Sequence, residues 1–217
     1  KVIALTGSNG KTTNKELIRE VLLKKYNVLA TSGNLNNHIG VPLTLLQIKP
    51  EHQFAIIEMG ANHQGEIASY CVYVKPDFGL ITNVGSAHLE GFGSFEGVVK
   101  GKTELYADLT KRNGKIFVNA QNEILRGKIT DYQLPLISVV SYGKSPDAFC
   151  KGEIAEPKEF LAVIVEGEKI QTNLVGDYNF ENVMSAVCVG KYFGVVLQQI
   201  KHAIENYVPS NNRSQKI

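Results

Sequence analysis

The sequence predicts an α/β protein: a mostly parallel, doubly wound sheet flanked by helices, with a small antiparallel β annex near residues 144–175. Three observations carry this expectation. The apolar runs at 2–5, 54–57 and 78–82 are continuous rather than alternating, as in strands covered on both faces. Stretches with apolar residues at helical spacing separate them, and strand–helix alternation builds parallel sheets. Beyond Gly143 that spacing gives way to two runs, 160–165 and 169–174, around Glu166-Gly167-Glu168, which is a hairpin signal.

Each element has its own local reason. The strand at 2–5 leads into a glycine loop at Gly7. From Thr12 onward, Leu17, Ile18, Val21 and Leu22 recur on one helical face, with Lys15, Glu16, Arg19 and Glu20 opposite. Val28-Leu29-Ala30 reads as the second strand, and Pro42 suits the first turn of a short helix running through Leu46. The strand at 54–57 ends in Glu58-Met59-Gly60, and a helix over 65–73 precedes the strand at 78–82. Ser94 is a ready N-cap for a helix carrying Phe95, Val98, Val99, Leu105, Tyr106 and Leu109. Further strands are expected at 115–118 and 136–140, and helices over 179–193 and 197–207 precede a polar tail beyond Pro209.

Composition removes several classes of function. Lys and Arg number 23 against 21 Asp and Glu, a formal net charge of +2 without any basic run, which excludes bulk nucleic-acid binding. No apolar run reaches the ~18 residues that span a bilayer, and the first residues lack a signal-peptide pattern. Cys71, Cys150 and Cys188 are isolated, with no C-x-x-C pair, so a disulfide framework or zinc site is not expected and a reducing cytoplasm is.

The strongest chemical signal is Thr6-Gly7-Ser8-Asn9-Gly10-Lys11-Thr12-Thr13. A glycine turn between a buried strand and a helix start converges backbone N–H groups on an anion. Lys11 adds a movable positive charge, and the Thr12 hydroxyl suits Mg²⁺. Leu5 stands where the full P-loop pattern G-x-x-x-x-G-K-[ST] has its first glycine. Glu58 ends an apolar strand, where open α/β sheets present ligand-binding groups, and a carboxylate there suits the Mg²⁺ of a nucleotide; a partly exposed strand-end acid is the alternative. His88 also follows a strand, where a lone loop histidine is usually a surface or hydrogen-bonding residue. Lys102, between Lys100 and Glu104, has the pattern of a solvated helix face. The run from Gly33 to Pro42 packs the amides of Asn34, Asn36 and Asn37 into a turn-rich loop. Asn179 and Asn182 lie three apart at a helix start, as a helix cap or as amides that read a purine edge.

Together these motifs resemble the ATP-dependent Mur ligases of peptidoglycan synthesis. Within them, the motifs look like the central domain of the type that adds D-alanyl-D-alanine to UDP-N-acetylmuramoyl-tripeptide. The family's short loop G-T-N-G-K-T-T appears as Gly7-Ser8-Asn9-Gly10-Lys11-Thr12-Thr13. The run from Gly33 to Leu46, Glu58-Met59-Gly60-Ala61-Asn62 and Ile81-Thr82-Asn83-Val84-Gly85-Ser86-Ala87-His88-Leu89 follow in family order. The resemblance implies carboxylate–amine ligation through an acyl phosphate, with ATP and Mg²⁺, in the bacterial cytoplasm. It implies that residues Gly7 to Thr13 hold the phosphates and that Lys11 neutralises charge on the transferring group. It further implies Thr12, Glu58, His88 and a carbamylated Lys102 as metal ligands, with Lys11, His88 and Lys102 serving catalysis. Asn179, Asn182 and Arg213 would contact the nucleotide, and Asn34 and Asn37 the substrate. Tyr178 stands where the family often has His. The expected domain is 1–217, with the abrupt start at Lys1 and the tail at Arg213 as cut edges. A UDP-binding domain before it and a further domain after it would be missing, leaving the chain unable to complete ligation alone. Another ligase of the superfamily, such as a single-amino-acid-adding type or folylpolyglutamate synthetase, and a non-ligating nucleotide-binding module remain the alternatives.

Overall fold

Strand β1 (Val2–Thr6) runs up the middle of a seven-stranded sheet in the computed structural model, which describes residues 1–86, 89–156 and 159–209. The chain continues through α1 (Lys11–Leu22), β2 (Val28–Ala30), α2 (Gly40–Leu45), β3 (Phe54–Glu58), α3 (Glu66–Val74) and β4 (Phe78–Ile81). Then follow α4 (Leu89–Phe92), α5 (Phe95–Arg112), β5 (Lys115–Asn119), α6 (Glu123–Asp131), β6 (Val139–Gly143) and β7 (Cys150–Lys151). These strands lie in the order β2-β3-β1-β4-β5-β6-β7, each pair parallel.

Both faces of the sheet are covered, which is why its strands read as unbroken apolar runs. Side chains alternate across a strand. Ile3 and Leu5 join Leu17, Val21, Val183 and Val187 on one side. Ala4 joins Ile57, Ile67, Val98 and Leu105 on the other. Helix α1 therefore leaves β1 towards one face, while α5 packs on the opposite face after β4. Neighbouring connections that diverge in this way open a crevice at the carboxyl ends of the strands. The register puts Glu58 beside Leu5 and Ile81 beside Thr6, so three loops rise from that one edge.

The annex is a separate antiparallel sheet of β8 (Glu153–Ile154), β9 (Ala162–Val165) and β10 (Glu168–Gln171). Val165 pairs with Glu168, and Glu166 (φ 51°) and Gly167 (φ 81°) make the left-handed two-residue turn that the strand twist favours. Helices α7 (Asn179–Tyr192) and α8 (Leu197–Glu205) then pack against α1.

One local expectation is corrected and one element is added. The strand expected at 136–140 begins only at Val139, because Pro135 starts a 3₁₀ turn closed by Ser138 N–H to the Pro135 carbonyl at 2.8 Å. Leu136 and Ile137 consequently face solvent, 86% and 83% exposed. Helix α6, which periodicity did not reveal, is started by Asn122, whose side chain accepts Leu125 N–H at 3.0 Å.

Candidate functional site

The loop after β1 is shaped by two glycines that cannot be replaced freely. Gly7 has φ 146°, and a Cβ there would lie 1.9 Å from the Thr82 hydroxyl oxygen. Gly10, at φ 77°, starts α1 in the left-handed conformation without a side-chain cap. The first-turn N–H groups of a helix have no intrahelical acceptors, so such a start presents donors to an anion. The loop is also tied to the loop that follows β4. Ser8 N–H donates to the Asn83 carbonyl and Asn9 N–H to Asn83 Oδ1, each at 3.0 Å. The Asn9 carbonyl accepts from Thr82 Oγ1 at 2.6 Å and Asn83 Nδ2 at 3.2 Å. Lys11 folds over this ring, its Nζ donating to the carbonyls of Gly7 at 2.8 Å and Ser8 at 3.1 Å.

Beside the loop, the buried Glu58 ends β3. Its Oε1 accepts from Thr12 Oγ1 at 3.2 Å and from Asn36 Nδ2 at 2.8 Å, while its N–H donates to Thr31 Oγ1 at 3.0 Å. Its Oε2 is buried and makes no hydrogen bond, and Lys15 Nζ lies 3.8 Å away. A buried carboxylate set against the Thr12 hydroxyl, at the rim of an anion-binding loop, is an oxygen donor set that fits Mg²⁺. That hard cation usually takes one or two carboxylates plus substrate phosphates and waters. Among the described residues no three His, Cys, Asp or Glu cluster into a fuller metal cage.

Lys102 corrects the pattern of its helix, being 1% exposed where a solvated face is expected. Its Nζ donates to the Ala61 carbonyl at 2.8 Å, in the segment just beyond Glu58, and lies 5.1 Å from the centre of the Phe92 ring. Burial, together with the charge of Lys11, pushes its pKa down to about 8.

A cavity of about 540 Å³ opens on the other side of the loop, between Asn9, Gly10, Thr13, Tyr178, Asn179 and Glu181. Asn182 lines it too, but its carboxamide is spent on neighbours. Its Nδ2 donates to Asn179 Oδ1 at 2.9 Å, and its Oδ1 accepts from Asn14 Nδ2, whose own Oδ1 accepts from Ser185 Oγ. Asn179 Nδ2 in turn donates to the Val175 carbonyl at 2.9 Å. This buried ladder abuts Gly10, where a Cβ would stand 2.6 Å from Asn182 Oδ1. Burial pushes the Glu181 carboxyl up, although a bond from Asn119 opposes the rise.

The structure thus sets Glu58 against the Gly7–Thr13 loop through Thr12, Asn179 and Asn182 along the cavity beside Gly10, and Lys102 on the segment just beyond Glu58. His88 and Arg213 lie outside the described residues. Asn37 Oδ1 accepts from the N–H groups of Ile39 and Gly40 at 3.1 and 2.9 Å, shaping the turn into α2, and Asn34 is exposed. Of the three amides in that loop, Asn36 is the one on Glu58. Sequence reasoning also missed Lys15, assigned to a polar face yet fully buried. Its position three residues after Thr12 was the available signal, since that spacing shares a helix face.

The fold and the loop define a doubly wound α/β domain of the phosphate-loop class. The Mur ligase middle domain model matches residues 5–190. Over 213 residues the chain is 38% identical to the UDP-N-acetylmuramoyl-tripeptide–D-alanyl-D-alanine ligase of Haemophilus influenzae, covering 94% of this chain and 46% of that protein. Among solved structures it is similar to MurF from Acinetobacter baumannii, with TM-score 0.86, 32% identity and coverage of 97% of this chain and 47% of that one. It is also similar to MurF ligase from Thermotoga maritima in complex with ADP, with TM-score 0.80, 27% identity and coverage of 98% and 50%. The chain belongs to the Mur ligase family, and it spans about half the length of these relatives. No helix among the described residues is long and apolar enough to cross a membrane.

Proposed function

We propose that this chain is the nucleotide-handling central domain, residues 1–217, of an ATP-dependent ligase that joins D-alanyl-D-alanine to UDP-N-acetylmuramoyl-tripeptide. The observation that carries the reading is the junction of the Gly7–Thr13 loop with Glu58 through Thr12 and of the same loop with Asn83. It sets phosphate donors and a metal-type carboxylate on one crevice. The names borne by the relatives supply the substrates.

In this reading the terminal carboxylate of the tripeptide attacks the γ-phosphorus of ATP. The P–O bond to ADP breaks as the acyl phosphate forms. The amine of the dipeptide then attacks the acyl carbon, and the tetrahedral adduct expels phosphate and loses a proton to give the amide. Loop N–H groups and Lys11 stabilise charge on the transferring phosphoryl group. Thr12 and Glu58 would hold Mg²⁺, which when bound supplies charge neutralisation on the phosphates. Lys102, as a carbamate, would exchange a buried ammonium for anionic oxygens facing that cation. Its depressed pKa supports this, because the neutral amine is the form that adds CO₂. His88 would complete the metal set, Arg213 would reach the phosphates, Asn179 and Asn182 would border the base, and Asn34 and Asn37 would face the substrate. Three buried free thiols, Cys71, Cys150 and Cys188, suit the reducing bacterial cytoplasm included in the reading.

The test supplies the full-length protein with ATP, Mg²⁺, the UDP-tripeptide and either D-alanyl-D-alanine or single amino acids. Release of ADP with dipeptide incorporation is expected, abolished in Lys102→Ala and His88→Ala; single amino acid incorporation, or ligation unmoved in both variants, overturns it. The 217-residue chain alone is expected to bind nucleotide and not to ligate.

A further inference from the structure

We propose that Lys15 is the positioning residue of the metal site: its buried ammonium holds the Glu58 carboxylate and the 31–36 loop in the geometry that receives the divalent cation. The inference rests on reading Glu58 as the carboxylate of a Mg²⁺–nucleotide site.

Lys15 has a side chain with 0% exposure, on the second turn of α1 directly behind the phosphate loop. A buried ammonium persists only where it is paired, and three oxygens surround this one. The Gly33 carbonyl accepts at 2.9 Å, Glu16 Oε1 lies at 3.0 Å and Glu58 Oε2 at 3.8 Å. These come from three different segments: the loop after β2, α1 itself and the end of β3. Gly33 lies three residues before Asn36, whose Nδ2 holds Glu58 Oε1 at 2.8 Å. Lys15 therefore acts on Glu58 twice. It faces the oxygen that lacks a hydrogen bond, and it anchors the loop whose amide grips the other oxygen. The carboxylate is thereby fixed with Oε1 towards Thr12 and the phosphate loop. An outer partner that orients a metal-binding carboxylate is worth about 10–100-fold in metal affinity.

The test titrates Mg²⁺ into the whole protein with a fluorescent ADP analogue, starting from an EDTA-treated sample, and reads the Mg²⁺ concentration at half-effect. Wild type, Lys15→Met and Glu58→Gln are compared, with circular dichroism as the check on folding. The expected result is a rise of about 10–100-fold in the half-effect concentration for Lys15→Met. A merely structural role lowers nucleotide affinity with and without Mg²⁺ alike and leaves that midpoint in place, which overturns the proposal. So does a midpoint that falls, the result of a Lys15 charge that simply repels the cation. Should Glu58→Gln move the midpoint while Lys15→Met does not, the Lys15 inference fails and the Mg²⁺ reading stands. Should wild type show no Mg²⁺ dependence and Glu58→Gln match it, both fall. If Lys15→Met does not fold, Glu58→Gln is compared with Lys15→Met/Glu58→Gln. Acting through Glu58 predicts midpoints within about twofold of each other, whereas a further shift overturns it.

Discussion

Asn182→Ala separates two roles that a purine-edge residue and a loop support would play differently. The carboxamide is 6% exposed, accepts from Asn14 and donates to Asn179. Alanine would strand the Asn14 amide in the interior, at about 1–3 kcal/mol, and forfeit the bond to Asn179, about 1 kcal/mol more. A loss of about 3 kcal/mol corresponds to roughly 6–12 °C in Tm for a chain of this size. Because Asn182 Oδ1 lies against the Cα of Gly10, the loop should loosen, and ADP and GDP should lose affinity together. The assay is thermal unfolding plus competitive binding of the two nucleotides. A Tm within about 2 °C of wild type, with affinity lost for ADP and not GDP, would refute the support role and make Asn182 a base reader.

Gly7→Ala should cut ADP binding at least about tenfold, because the new methyl meets Thr82 Oγ1 at 1.9 Å and φ stays at 146°; Gly167→Ala, strained at φ 81° but with open space around it, should cost only about 1 kcal/mol in urea unfolding and leave binding intact. Burial pushes the Tyr70 and Tyr207 hydroxyls up to about 12 and raises those of Tyr106 and Tyr142 as well. The unfolded chain then loses these protons first, so stability should hold below about pH 10 and fall between roughly pH 10 and 12, and equal urea midpoints at pH 8 and 11 would contradict this. Replacing Leu136 and Ile137 with lysine should change stability by less than about 0.5 kcal/mol, whereas a strand running through them would lose far more.

The legible part of the fold is the part that repeats one rule. Runs such as Ile3-Ala4-Leu5 are apolar throughout because alternate residues enter two different cores, and that leaves no solvent face to interrupt them. The hairpin was legible because Glu166-Gly167 is a turn whose backbone hand is set locally. Residues 136–140 failed for the converse reason. Their β-branched, apolar composition suits a strand, but Pro135 and the 3₁₀ turn decide where pairing with β5 starts, and composition does not encode that register. Helix α6 buries only Leu125 and Ile129 in its nine residues, so its apolar stripe is too thin for periodicity to register.

At the site, the loop was legible because its chemistry is contiguous, whereas the lysines around it were not. Amphipathic reasoning sends Lys15 and Lys102 to solvent, yet both are buried beside the crevice, since each is met by groups from segments distant in sequence. Their surroundings assign them opposite work. Lys15 donates to one carbonyl and pairs with two carboxylates, so its ammonium serves as fixed counter-charge and anchor. Lys102 has the Ala61 carbonyl and the face of Phe92 as its described partners, with Glu66 and Glu104 acting on it only through their charge. Burial there disfavours the ammonium and, with its pKa down to about 8, raises the share of neutral amine. A buried cation with carboxylates beside it serves as a fixed charge, whereas one with a single carbonyl and a ring face gives up its proton more readily.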